Sequence, residues 1–94
     1  MSAINFSSEA EIWNRAIRPD LGDFSAAAAR ELLRLSLSSE DKERVRELSA
    51  KANAGQLTAD ETQELEHYLN VGRTLEFLKA KARLSLREGH DAAA

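Results

Sequence analysis

Between Thr58 and Gly89 nothing in this chain stops a helix. Thr58-Ala59-Asp60-Glu61 is a start signal. The threonine hydroxyl can cap the first turn, Glu61 can reach back to it, and two acids sit at the positive end of the helix dipole. The segment from about 59 to 88 therefore predicts a single helix, roughly 45 Å long at 1.5 Å per residue. In a chain of 94 residues everything else must be arranged along it. Gly72 lies near its middle and costs about 1 kcal/mol against alanine. The ordinary explanation for such a glycine is a closely packed neighbouring helix; the other is a hinge or kink.

Three shorter helices can be placed by their caps. Ser8 with Glu11 forms a capping box, and the helix it starts runs to about Arg18, where Pro19 denies its predecessor the α conformation. Its apolar side is Ala10, Trp13, Ala16 and Ile17, with Ile12 beside it. Pro19-Asp20-Leu21-Gly22-Asp23 reads as a turn in which Gly22 takes positive φ. Ser25 caps a second helix from Ala26 to about Leu35, with Ala28, Leu32 and Leu35 on one face and Ala29 and Leu33 beside them. Ser38-Ser39 interrupts it, and a third helix runs to about Ala54 with Val45, Leu48 and Ala52 on a narrow face and Gly55 as its left-handed stop. No stretch alternates polar and apolar with period 2, so the fold class is all-α, a small bundle of about four helices. The chain reads as one helical domain over 1–94, with a variable segment 1–18 and a frayed tail 89–94.

Composition excludes more than it suggests. Without cysteine there is no disulfide framework, thiol catalysis or sulfur-ligated zinc site. A net charge of −3 gives no overall basic field for nucleic acid. No apolar run nears the roughly 20 residues of a membrane helix, and Met1-Ser2-Ala3-Ile4-Asn5-Phe6 does not look like a signal peptide. The expectation is a soluble, cytoplasmic protein.

The third helix, roughly 22 Å long, can cover only half of the fourth. In an antiparallel hairpin closed by Gly55-Gln56-Leu57 it covers Leu65, Tyr68 and Leu69. Leu75, Phe77, Leu78, Ala82, Leu84 and Leu86 then need another cover: either the second helix or a second chain.

Candidate chemistry is sparse. Glu64 and His67 share a helix face at the spacing used by di-iron bundles, but a second such pair would have to come from a homodimer. A solvated helix face explains them as well. Arg73, Lys79, Lys81, Arg83 and Arg87 cluster late in the fourth helix, with Lys79, Arg83 and Arg87 in one stripe. That clustering complements the helix dipole, and the stripe would also suit an acidic partner or a phosphate backbone. Trp13 is read as core, with partner anchoring as the other use of a tryptophan near a terminus. No nucleophile has a base to activate it and no glycine-rich phosphate loop exists, so no catalytic residue, cofactor or metal ligand is assigned and an enzyme is not expected.

From Leu48 the pattern Leu48-x-x-Lys51-Ala52-x-x-Gly55-x-Leu57-Thr58-x-x-Glu61-x-x-Glu64-Leu65, then Tyr68, Val71-Gly72, Leu75 and Lys81-Ala82-Arg83-x-x-Leu86, resembles a family of small all-helical bacterial proteins. Their genes often stand beside genes for endonucleases of the HNH type. The resemblance spans roughly Leu21 to Arg87, with Ala26 and Ala59 where members commonly have proline and Ala80 where they often have serine. The family's activity is not established, so no catalytic residue is carried over. The missing catalytic apparatus, the excess apolar length of the fourth helix and this resemblance together point to a non-enzymatic interaction module, a partner or antitoxin-like inhibitor of a neighbouring nuclease. The expected contact is Leu75, Leu78, Ala82 and Leu86, framed by Arg73, Lys79, Arg83 and Arg87. The alternatives are a dimeric DNA-binding protein using the basic stripe and, behind it, a dimeric metal bundle through Glu64 and His67.

Overall fold

The computed structural model describes residues 6–89 and is helical throughout: α1 (Glu9–Ile17), α2 (Ala26–Leu33), α3 (Ser39–Asn53) and α4 (Ala59–Glu88), with no strand among the described residues. The tail expected to fray lies, from residue 90, outside them. α4 starts and ends where the capping signal and Gly89 place its limits, and it continues through Gly72. The chain groups into two compact units that share α4: residues 36–72 form one, and residues up to Leu35 with those from Arg73 form the other.

In the unit of residues 36–72, α3 and the first half of α4 form an antiparallel hairpin. Ser38 caps α3 by accepting the Asp41 amide at 3.0 Å. At its far end Gly55 takes φ 69°, and the Gln56 and Gly55 amides donate to the carbonyls of Lys51 and Ala52, a left-handed stop that needs glycine. Thr58 and Glu61 then exchange both hydrogen bonds of the capping box at 3.0 Å. Cross-helix pairs run in opposite numerical directions, as antiparallel packing requires: Tyr68 with Asp41, Glu64 with Arg44, Glu61 with Lys51. Leu48 is fully buried, Val45, Leu65 and Tyr68 are half-buried, and Ala52 is exposed. Leu69 departs from expectation and is exposed. It stands about 100° round the helix from Tyr68, beyond the strip that one narrow helix covers.

The other unit is built from α1, α2 and the second half of α4. Ser8 and Glu11 complete the expected capping box, and Ser25 caps α2. α2 stops at Leu33, two residues early, as the Arg34 and Leu35 amides turn back to the carbonyls of Glu31 and Leu32. The turn between α1 and α2 also differs from its reading. Arg18, not Gly22, takes the positive φ, at 56°, capping α1 through its amide to the Asn14 carbonyl. Gly22 is required for close approach instead: a Cβ there would meet the backbone of Leu84 at 2.9 Å. The fully buried apolar residues here are both small, Ala29 and Ala82. Leu75, Phe77, Leu78, Leu84 and Leu86 are half-buried within this unit.

Gly72 corrects another expectation. No atom beyond its own helix lies within 4 Å of where its Cβ would stand, so close packing does not explain it.

Candidate functional site

The structure separates the residues expected to bind a partner. Ala82 is fully buried and offers no surface, while Leu75, Leu78 and Leu86 are only half-exposed. Arg83 is paired with Glu76 at 3.1 Å, and Arg73 also makes an interaction. Of the stripe, Lys79 and Arg87 form no ion pair among the described residues.

Lys81 is not a surface cation. It is 5% exposed, its Nζ lies 2.5 Å from Asp23 Oδ1 and 4.9 Å from the centre of the Phe24 ring, and it donates to the Arg18 carbonyl at 3.3 Å. Beside it the Ser85 hydroxyl donates to the Lys81 carbonyl at 2.7 Å and accepts the Phe24 amide at 3.0 Å. Together these groups fasten residues 18–24 to α4. The clamp had a signal: Leu78, Lys81, Ala82 and Ser85 recur at helical spacing, which puts Lys81 on the apolar face and off the Lys79–Arg83–Arg87 stripe.

α1 shows the reverse. None of its residues is buried. Trp13, expected in the core, is 38% exposed, with its indole N–H directed to Glu9 Oε2 at 3.3 Å. Ile12 is 51% exposed and Phe6, just before the helix, 86%. Only Ala10 and Ile17 of its apolar side are half-buried. A nine-residue helix has too few turns to bury an apolar face and also wrap it round a core of alanines.

The hairpin unit carries a cleft of about 310 Å³, lined by Leu37, Asp41, Glu64, His67, Tyr68 and Val71. Four of these come from α4 at i, i+3, i+4 and i+7, one face of a helix. That spacing was visible for Glu64 and His67; Asp41 and Tyr68 join them through the hairpin register. The Tyr68 hydroxyl donates to Asp41 Oδ1 at 2.7 Å, and this hydrogen bond to the carboxylate holds the phenol above its ordinary pKa. Glu64 is gripped by Arg44 through Nε at 2.9 Å and Nη2 at 2.8 Å, which holds its carboxyl below the usual range. Both Glu64 oxygens are thus engaged by a guanidinium, and the described residues contain no cluster of three or more ligating side chains suited to a metal.

No helix among the described residues is long and apolar enough to cross a membrane. Compared with protein-family models, curated proteins and solved structures, the chain matches none of them.

Proposed function

We propose that the chain is a non-enzymatic helical interaction module whose anchor is the exposed apolar side of α1. The observation that carries this reading is that α1 buries no residue while Phe6, Ile12 and Trp13 face solvent. Tryptophan is enriched among residues that dominate binding energy, and an exposed apolar cluster is the usual mark of a contact surface. The contact expected on the second half of α4 moves to α1 because Ala82 is buried and Leu75, Leu78 and Leu86 are half-buried in their own unit; Lys79, Arg83 and Arg87 of that unit would contribute orientation and association rate more than affinity. The resemblance to proteins encoded beside HNH-type endonucleases makes such a nuclease the first partner to test, with antitoxin-like inhibition as the activity.

The test is co-purification of the chain with the nuclease encoded beside it, together with light scattering of the chain alone. Trp13→Asp should abolish capture while leaving the helical circular dichroism intact. Capture unaffected by that change would overturn the assignment of α1. Leu78→Asp, by contrast, should lower stability, because Leu78 belongs to the covered face.

A further inference from the structure

The hairpin cleft differs from α1 in chemistry. Its unit carries eight acidic and four basic residues, net −4, against eight acidic and nine basic, net +1, in the other unit. Of the two carboxylates lining the cleft, Glu64 is balanced by Arg44, which also contacts Glu47 at 3.0 Å. The Asp41 carboxylate has no cation: its one partner among the described residues is the uncharged Tyr68 hydroxyl, on Oδ1. Half-buried Leu37 and half-exposed Val71 supply apolar walls. An anion lining a partly apolar cleft, within a negatively charged unit, complements a cation carried on an aliphatic stem.

We infer that this cleft receives a lysine side chain of a partner protein, its methylenes against Leu37 and Val71 and its ammonium on the free oxygen of Asp41. Lysine is favoured over arginine by the state of Asp41. With Oδ1 taken by Tyr68, one oxygen remains, which suits the single-point contact of an ammonium better than the paired contact of a guanidinium. The volume, about 310 Å³, is at the lower end for ligand clefts and accommodates one long side chain. This contact is separate from the α1 anchor and can be tested without any natural partner.

The experiment titrates the full chain, observed by amide NMR, with the blocked tripeptide N-acetyl-Ala-Lys-Ala-amide and with its norleucine counterpart, which keeps the stem and lacks the ammonium. The lysine peptide should give saturable shifts centred on the amides of Asp41, His67, Tyr68 and Val71, and bind roughly ten-fold tighter than the norleucine peptide. Asp41→Asn, which keeps an oxygen for Tyr68, should remove that preference. Val71→Lys, at an exposed position, should remove it too by placing a resident cation in the cleft. Equal binding of the two peptides, shifts spread over the acidic surface, or a preference that survives Asp41→Asn would overturn the inference. None of these outcomes touches the α1 reading, whose failure would show in Trp13→Asp alone.

Discussion

The two units solve the same packing problem with opposite materials. The hairpin unit seals a single large apolar residue, Leu48, and ties its two helices with paired charges: Arg44 to Glu64 and Lys51 to Glu61, and the Tyr68–Asp41 bond. Among its described residues the other seals only small apolar residues, Ala29 and Ala82, and buries one cation, Lys81. Small residues let backbones approach, as at Gly22 against Leu84, and close approach leaves little volume for apolar side chains. Polar fastening then has to come from within, through Lys81 and Ser85, rather than from the flanks. A short helix on such a core keeps its aromatic and branched residues outside, which is how Trp13 and Ile12 come to be exposed.

Leu48→Ala should have the largest effect, about 2–5 kcal/mol of lost stability from the vanished transfer energy and the cavity left behind. Urea denaturation measures it, and a loss under about 1 kcal/mol would mean that the hairpin rests on its charges. Lys81→Ala comes next, at about 2–3 kcal/mol, for the stem packed in the core and the lost hold on residues 18–24. Asp23 is exposed enough to rehydrate, so the penalty of a stranded buried charge is small. Lys81→Met, which keeps the stem, should cost about 1 kcal/mol or less. Equal losses for the two variants would assign the clamp to the ammonium instead.

Gly72→Ala should stabilise the chain by about 0.5–1 kcal/mol, since the Cβ enters open space and the helix gains propensity. A rise in melting temperature supports this; a fall would mean that something does pack there. The smallest effect expected is acid sensitivity of the hairpin's charge pairs. The folded pKa values of Glu61 and Glu64 lie below the ordinary 4.5, lowered chiefly by hydrogen bonds from Lys51 and Arg44. Their contribution is therefore complete above the unfolded value and is lost as pH falls through the folded values. Exposure and salt screen these pairs, so the loss is modest. NMR titration below about pH 4.5 should show hairpin amides responding with Glu61 and Glu64, and Glu64→Gln should remove the second response.

Much of this was legible in the chain. Ser8–Glu11, Ser25, Ser38, Gly55 and Thr58–Glu61 are local signals, each satisfied by groups within a few residues, so they mark the helix ends without reference to the rest of the fold. The hairpin followed from the short connection between two helices of unequal length. Exposure was harder to read. Residue type puts Trp13 inside and Lys81 outside, and the hairpin alone puts Leu69 under α3, but burial depends on which arc of a helix a neighbour covers. Of the cleft, Glu64 and His67 could be paired by spacing; Asp41, 27 residues from Tyr68, could not.

An all-helical chain with a 30-residue last helix is written in the capping residues and in the absence of proline after Pro19, because helix formation and termination are decided within one or two turns. Tertiary packing alone set Lys81 inside and Trp13 outside, gave Arg18 the left-handed backbone expected of Gly22, and brought Asp41 to Tyr68. Those outcomes depend on which helix faces meet and how closely. That is a property of volumes and distances across the fold, which no local pattern of residues encodes.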